Sequence, residues 1–322
     1  MFHEGEDNVS PEDLGIDDEQ PTDSEREEVL TNPYGEKLLR LAEEHDIYLD
    51  TNRKDQHLLV SEEAVLALVE SAKLSAQDSV LEVGPGLGQI TEELAKRAGR
   101  VYAIEIDHQF DPVLAELNAK YPNIQIISGS ATEVQWPRVN KFVANPPFSI
   151  FEQILRKVIL DKEIKAASIV IGERFYKGSV PAERQNSRVG LMTKAFFKGD
   201  LVKTLEREDF FPKSREQAVV LSLLRKVKHE SDYGLKTLVT RMLRSPNANA
   251  GSVVHEAISE AFDPRRVDPE RIPSVESFGI PGSVMRKRLQ DLTNSDMVVL
   301  ASALGKISSA RYNRGRRERF DD

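Results

Sequence analysis

The chain contains no cysteine among its 322 residues, which excludes disulfide bonds, zinc–thiolate sites and thiol nucleophiles. It also lacks long apolar runs. The longest, such as residues 297–304, are far shorter than the roughly 20 residues that a membrane-spanning helix needs. The acidic start of the sequence has neither the basic nor the apolar region of a signal peptide. We therefore expect a cytoplasmic protein that is not associated with a membrane.

Positive charge is also scarce, because the formal net charge is -9, but the deficit lies at one end. Residues 1–33 carry twelve acidic side chains and one arginine, so residues 34–322 carry a net charge of +2. With three prolines and few apolar side chains, residues 1–33 are predicted to form a disordered acidic tail. Residues 306–322 are rich in arginine and are predicted to form a basic, unstructured C-terminal tail.

The middle of the chain alternates between strand patterns and helical patterns, which is typical of an α/β fold with a mostly parallel sheet. Strands are predicted at 79–83, 101–106, 124–128, 139–144, 167–171, 201–206 and 218–224, and helices at 89–98, 109–120 and 150–160. We assign residues 34–226 to this Rossmann-like catalytic domain. Residues 227–305 contain only helical patterns (233–243, 253–262, 281–289 and 295–304) and are assigned to a small helical domain.

Residues 80–88, V-L-E-V-G-P-G-L-G, carry the strongest local signal: a strand, a glycine turn and the start of a helix. Gly84 and Gly86 let the backbone turn sharply and approach a ligand, and Glu105 ends the next strand, where a carboxylate can accept ribose hydroxyls. The G-x-G-x-G spacing differs from a dinucleotide site, and Glu82 at the strand end suits a cationic ligand. These features favour S-adenosylmethionine as the cofactor.

The segment N-P-P-F at residues 145–148 follows the fourth strand and is a candidate methyl-acceptor loop. The side-chain oxygen of Asn145 and the carbonyl of Pro146 can accept the two hydrogens of an exocyclic amino group, which localises the nitrogen lone pair. Phe148 offers a ring on which an extruded base can stack. The rate then comes from the alignment of the amino nitrogen with the methyl carbon, so we expect that no metal and no covalent intermediate are needed.

Five stretches together resemble the KsgA-like ribosomal RNA adenine dimethyltransferases and their archaeal and eukaryotic relatives. They read D-Q-H-L-L (55–59), V-L-E-V-G-P-G-L-G (80–88), A-I-E-I-D (103–107), F-F-P-K (210–213) with the strand that follows it, and more weakly residues 279–292. The resemblance spans residues 55–305 in the family's order. It implies a class I S-adenosylmethionine-dependent methyltransferase fold, and it implies that the small helical domain at 227–305 recognises RNA.

The resemblance also implies roles for individual residues. Gln56, His57 and Leu59 would close over the methionine end of the cofactor, near Gly84 and Gly86. Glu105 would hold the ribose, and Ile106, Ser130 and Ala131 would surround the adenine. Asn145, Pro146 and Phe148 would hold the target base. The family adds two methyl groups to each of two adjacent adenosines near the 3′ end of small-subunit ribosomal RNA, so we expect a monomer that binds this RNA or the pre-ribosomal small subunit.

The sequence departs from the family's pattern at three places. Ser130 stands where an aspartate usually binds the adenine amino group of the cofactor, and N-P-P-F replaces N-L-P-Y or N-I-P-Y. The basic R-R-K run usual early in the helical domain is absent, since residues 243–247 read L-R-S-P-N. Other basic residues are candidates to contact phosphates instead: Arg174, Lys177, Arg184, Arg188, Arg265, Arg266 and the arginines at 311–319.

Two other functions remain open on the sequence alone. One is methylation of a different adenine, in large-subunit ribosomal RNA or in DNA, which mapping of the modified nucleotide would reveal. The other is a ribosome-assembly factor that keeps the cofactor for structural reasons. The size of the helical domain argues against the first alternative. The intact Gly84, Glu105 and Asn145 argue against the second.

Overall fold

In the computed structural model, the described residues are 22–49, 56–179, 193, 195–226, 233–262, 270 and 272–317. Several expectations lie outside these residues. They concern the tail up to residue 21, Asp55 of the D-Q-H-L-L motif, Arg184, Arg188, Arg265, Arg266 and Arg319.

Eleven helices and nine strands are described in this part of the chain. The helices are α1 (Asp23–Leu30), α2 (Pro33–Glu44), α3 (Glu62–Ser71), α4 (Gln89–Ala95), α5 (Asp111–Lys120), α6 (Phe151–Leu160), α7 (Glu173–Ser179), α8 (Tyr233–Arg244), α9 (Ala250–Ala261), α10 (Gly282–Met285) and α11 (Asn294–Arg317). The strands are β1 (Leu58–Leu59), β2 (Ser79–Val83), β3 (Arg100–Glu105), β4 (Ile124–Ser128), β5 (Lys141–Ala144), β6 (Ala166–Gly172), β7 (Phe197–Leu205), β8 (Phe210–Phe211) and β9 (Ala218–Arg225). Among them, none of the helices is both long and apolar enough to cross a membrane.

Seven strands form one sheet in the order β4-β3-β2-β5-β6-β9-β7, and β1 pairs with β8 in a separate antiparallel ribbon. β2 runs parallel to β3 on one side and to β5 on the other, and β3 runs parallel to β4. The strand order therefore reverses between β2 and β5. In open α/β sheets, ligands bind in the crevice at this switch point, beyond the carboxyl ends of the strands. The predicted α/β class and the predicted strand sequence are confirmed.

The main core lies where α3 and α4 pack on the sheet. Their buried side chains, which include Leu68 and Leu94, contact strand residues such as Val80, Val101 and Val143. Each of these five side chains is fully buried, which is why the strands read as continuous apolar runs rather than alternating ones.

The predicted disordered tail of residues 1–33 is wrong for its last part, because folded structure begins before Tyr34. Thr22 and Glu25 form a capping box that starts α1, and Val29 of this helix is buried. Val29 belongs to a second core cluster with Leu38 and Leu39 of α2 and with Phe211. Composition could not reveal this helix, because a single buried side chain and a cap anchor an otherwise acidic segment.

The structure divides into two compact units. The first contains residues up to Phe151 together with 168–172 and 201–221, and the second contains 152–167, 173–200 and 222–322. The second unit therefore includes α6 and the beginning of β7 as well as the predicted helical domain. The boundaries at residues 226 and 305 remain predictions.

Two predictions in the C-terminal part are corrected. Helix α11 continues from Asn294 to Arg317, so the predicted unstructured basic tail begins with a helix. Leu300, Leu304 and Ile307 are buried along this helix, which anchors its continuation beyond residue 305. The predicted helix 281–289 is broken. It consists of α10 and a 3₁₀ turn at Leu289–Asp291, because the backbone at Arg288 is extended where it pairs with Asn249.

We predict that Gly234→Ala destabilises the second unit. A Cβ at Gly234 would overlap the carbonyl oxygen of Ala301 and lie 2.5 Å from the backbone nitrogen of Gly305, so α8 and α11 would have to separate. We expect the free energy of unfolding to fall by about 2–3 kcal/mol, the usual range for overpacking. Gly282→Ala is the matched control, because its Cβ would meet only the end of Arg286 at 3.5 Å. Equal thermal unfolding of the two variants would contradict the proposed close packing.

Candidate functional site

The carboxyl ends of β2, β3 and β5 border a cavity of about 300 Å³. All the predicted site residues except Leu59 line it. These are Gln56, His57, Gly84, Gly86, Glu105, Ile106, Ser130, Ala131, Asn145, Pro146 and Phe148. The parallel register explains this convergence, because Val83, Ile104 and the strand end before Asn145 lie side by side in one sheet. Gln56 and Phe148, which are 92 positions apart in sequence, thus share one site.

Leu59 is the exception, and its assignment to the cofactor remains a prediction. Its side chain is fully buried in the main core and does not line the cavity, whereas the neighbouring Leu58 does. Successive side chains of a strand point to opposite faces, so only one of the two leucines of β1 can face the cavity. The sequence did not reveal which one, because both residues are apolar.

The glycine turn after β2 leaves space for a ligand. Gly84, Gly86 and Gly88 have φ angles of 71°, 54° and 80°, a region that side-chain-bearing residues rarely adopt. A Cβ at Gly86 would lie 2.9 Å from Leu58 Cδ2, and one at Gly84 would lie 3.9 Å from Pro147 Cδ. The turn therefore approaches both β1 and the acceptor loop without a side chain between them.

Glu105 is buried and held by the backbone on three sides. Its Oε2 accepts the N–H of Gly86 at 3.1 Å, and its Oε1 accepts those of Ile106 and Asp107, each at 2.9 Å. Burial raises the pKa of Glu105, and these three hydrogen bonds oppose the rise. A carboxylate has about four acceptor positions, so one remains for a hydroxyl of a bound nucleoside.

The adenine end of the predicted site has one apolar wall and one weak polar group. Ile106 is 63% exposed, which is unusual for a large apolar side chain and suits packing against a planar base. The Ser130 hydroxyl is already hydrogen bonded to Thr132 Oγ1 at 2.7 Å. The carbonyl of Ala131 accepts the indole N–H of Trp136 at 2.8 Å, which fixes this loop.

Two buried acidic or amide side chains lie near the glycine turn. Glu82 is fully buried and accepts Thr91 Oγ1 at 2.6 Å; burial raises its pKa to about 8, and the charge of Glu105 adds to the rise. It does not line the cavity, so the prediction that it faces a cationic ligand is corrected. Gln89, which the motif analysis overlooked, does line the cavity, and its buried Oε1 has no hydrogen-bond partner among the described residues.

These observations fit S-adenosylmethionine. The carboxylate of Glu105 suits a ribose, Ile106 suits an adenine, and the unpaired acceptor of Gln89 suits the ammonium group at the methionine end. The glycine turn lacks the side chains that would fill the space between these groups. When bound, the cofactor supplies a methyl group carried on a positively charged sulfur.

The acceptor loop is tied to the segment around His57. Asn145 Nδ2 donates to the carbonyl oxygen of His57 at 2.9 Å. Because a carbonyl only accepts, the amide must present its nitrogen there, and Oδ1 remains as its acceptor. Phe148 is half-buried and packs against the main core, so one part of its ring is held by the protein.

The segment that carries Gln56 and His57 is held in turn by two further contacts. His57 Nδ1 is 2.8 Å from the carbonyl oxygen of Pro212, in the F-F-P-K stretch, and Gln56 Nε2 donates to Asp107 Oδ2 at 2.8 Å. Asp107 also accepts Gln109 Nε2 at 2.6 Å. The D-Q-H-L-L, A-I-E-I-D and F-F-P-K stretches, distant in sequence, therefore meet beside one cavity.

Comparison with known proteins agrees with this geometry. Residues 50–268, well over half of the chain, match the family model described as ribosomal RNA adenine dimethylase. The chain belongs to the ribosomal RNA adenine dimethylase family. This membership confirms the family resemblance, the methyltransferase activity and the cofactor S-adenosylmethionine predicted from the sequence.

Curated relatives include two archaeal proteins, each named a probable ribosomal RNA small subunit methyltransferase A. The protein from Pyrococcus furiosus is 29% identical over 246 residues, which cover 75% of this chain and 87% of the relative. The protein from Methanosarcina mazei is 28% identical over 272 residues, which cover 80% of this chain and 94% of the relative.

Two solved structures share the fold. A dimethyladenosine transferase from Plasmodium falciparum has a TM-score of 0.55 and 19% identity, covering 77% of this chain and 97% of its own. The 23S rRNA methyltransferase ErmE has a TM-score of 0.51 and 22% identity, covering 76% of this chain and 98% of its own. At these identities the likeness supports the Rossmann-like architecture alone.

We predict that ionisation of Glu82 destabilises the cofactor-free protein. The folded state keeps the Glu82 proton up to a pKa of about 8, whereas the unfolded state releases it near the ordinary glutamate pKa of 4.5. The unfolded state therefore binds fewer protons between these pH values, and stability falls as pH rises through this window. We expect the free energy of unfolding to fall by a few kcal/mol, on the order of 1.4 per pKa unit.

Glu82→Gln should remove this pH dependence, since glutamine is neutral throughout. Denaturant unfolding at pH 5, 6, 7 and 8 would compare the two proteins, with the exposed Glu43→Gln as the matched control. Parallel stability curves for the wild type and Glu82→Gln would show that Glu82 is already ionised at pH 5.

Proposed function

We propose that this protein transfers methyl groups from S-adenosylmethionine to the N6 amino groups of two adjacent adenosines near the 3′ end of small-subunit ribosomal RNA. The substrate is the RNA within an immature small subunit, and the protein acts as a cytoplasmic monomer in ribosome biogenesis. The main support is that a hydrogen bond to His57 fixes the amide of Asn145 in the same cavity that Glu105 lines. The names of the archaeal relatives support the small subunit as the target.

In this mechanism the protein acts by orientation. Asn145 Oδ1 and the Pro146 carbonyl accept the hydrogens of the adenine amino group, so that its nitrogen lone pair is no longer delocalised into the ring. The ring stacks on Phe148 after the base leaves its helix. S-adenosylmethionine bound in the cavity would supply the methyl group, and the amino nitrogen would release one proton to solvent as it becomes methylated. Orientation by Asn145, Pro146 and Phe148 accounts for the rate without an acid–base residue.

The contact from His57 to Asn145 gives D-Q-H-L-L a role in this reaction. The backbone carbonyl of His57 determines which way the Asn145 amide faces, and the His57 ring is hydrogen bonded to the carbonyl of Pro212. His57 thus acts as a positioning residue, and its side chain holds the segment that orients the amide. This role differs from the cofactor contact that the resemblance implies, and both are compatible with its place in the cavity lining.

Two alternatives are weighed against this proposal. A methylase of large-subunit ribosomal RNA would share the fold, as ErmE does, so the fold does not separate the two substrates. A purely structural assembly factor would not need the oriented amide of Asn145. The names of the relatives favour the small subunit over the first alternative, and the amide favours catalysis over the second.

We predict that Asn145→Ala lowers methyl transfer by on the order of 100-fold or more, because one of two fixed acceptors for the amino group is lost. Labelled S-adenosylmethionine, immature small subunits and mapping of the labelled nucleotides would measure this. Asn118→Ala, an exposed asparagine on α5, is the matched control and should leave the rate unchanged.

The position of the label decides between the functions. Dimethyladenosine at two adjacent 3′-end positions, lost only in Asn145→Ala, supports the proposal. Label in large-subunit RNA or in DNA would keep the chemistry and replace the substrate. If the protein binds S-adenosylmethionine but methylates neither ribosomal RNA nor DNA, the result would favour the assembly factor.

A further inference from the structure

In the second unit, the loop between α8 and α9 pairs with the segment that follows α10. Asn249 and Arg288 form an antiparallel bridge. Backbone hydrogen bonds from Ala250 N to Lys287 O, Leu289 N to Ala248 O and Gln290 N to Pro246 O measure 2.9, 2.8 and 2.9 Å. Asn249 Nδ2 adds a bond to the Arg286 carbonyl at 3.1 Å. Residues 246–250 and 286–290 therefore form one fixed surface element.

This element places basic side chains at the surface without neutralising them. Arg244, Arg286 and Arg288 are exposed, and within the described residues none of them has an ion pair or a side-chain hydrogen bond. Lys287, which lies between two of them, is partly buried and pairs with Asp296 at 2.6 Å. Lys287 thus stabilises the fold through its ion pair, whereas the flanking Arg286 and Arg288 have no ion pair within the described residues.

A fourth guanidinium lies at the same end of α8. Arg156 of α6 donates a hydrogen bond to the carbonyl oxygen of Leu243, which precedes Arg244. The carboxyl end of a helix carries partial negative charge, which favours a cation there. Within residues 286–291, two exposed arginines, Arg286 and Arg288, stand beside one exposed acid, Asp291.

Exposed guanidinium groups that have no acidic partner suit phosphate. The planar fork of arginine donates two hydrogen bonds to one phosphate group, and several such groups in a row follow a nucleic-acid backbone. We propose that Arg244, Arg286 and Arg288 form an RNA phosphate-binding surface of the helical region. Residues 243–247 lack a basic run, and Arg286 and Arg288 lie beside Lys287 and Leu289, whose backbone is hydrogen bonded to residues 248–250 directly after it. This inference rests on the proposed function for the identity of the RNA.

Binding to a transcribed fragment of the 3′-terminal region of small-subunit ribosomal RNA tests the proposal. The variants are Arg286→Gln with Arg288→Gln, and Arg244→Gln alone. Each phosphate contact contributes about one unit to the slope of log affinity against log salt concentration, so the double variant should lower the slope by about two and the single variant by about one. At about 100 mM salt we expect the double variant to bind roughly tenfold more weakly.

Arg241→Gln is the matched control. It removes the same charge from the same unit, but Arg241 is paired with Glu256 and Glu260. We expect its RNA affinity and salt slope to equal those of the wild type. Thermal unfolding of each variant checks the fold; if the double variant unfolds early, Arg244→Gln decides the question from a different segment.

Two outcomes would overturn the proposal. In the first, the double variant and Arg244→Gln bind RNA with the wild-type affinity and salt slope. In the second, RNA binding is unchanged while binding to intact small subunits falls, which would make the surface a contact for an acidic protein. Methyl transfer by the wild type is measured in parallel: weakened RNA binding in the variants with no wild-type methylation would keep this surface and reject the proposed function.

Discussion

The parallel pairing of β2 with both β3 and β5 is the constraint on which the site depends. It brings the glycine turn, Glu105 and Asn145 to one edge of the sheet, at the point where the strand order reverses. Glu105 and Asn145 are then fixed by direct hydrogen bonds: backbone amides donate to Glu105, and Asn145 donates to the His57 carbonyl. The residues predicted to hold the cofactor and those predicted to hold the acceptor are therefore positioned by the same three strands.

The second constraint is the ribbon of β1 and β8 at the border of the cavity. It joins residues that lie more than 150 positions apart, and the His57 ring contacts Pro212 next to it. Leu58 faces the glycine turn, while Leu59 fills the core. One short ribbon thus lines part of the cavity through Leu58 and Phe210 and packs with α1 and α2 through Phe211. The acidic N-terminal helix is part of this arrangement.

The charged side chains discussed above differ between the two units: they are buried carboxylates in the first and arginines in the second. In the first unit, the carboxylate of Glu105 accepts hydrogen bonds from backbone amides. The pKa of Glu82 is raised because burial disfavours its charged form. In the second, Arg225 is partly buried and donates to four carbonyl oxygens near the end of α6, so it is structural. Arg244, Arg286 and Arg288 are exposed and face solvent, which is why they are the ones assigned to RNA.

The sequence by itself determined the fold class, the cofactor turn, Glu105 and the acceptor loop, because each depends on a local pattern: strand, turn, helix or a short motif at a strand end. Tertiary structure alone decided which leucine of β1 faces the cavity, that Gln89 lines it and Glu82 does not, and that residues 23–30 are helical. It also decided that Arg286 and Arg288 lie beside the loop at 246–250. These features arise from contacts between segments far apart in the chain, and such contacts leave no periodicity in the sequence.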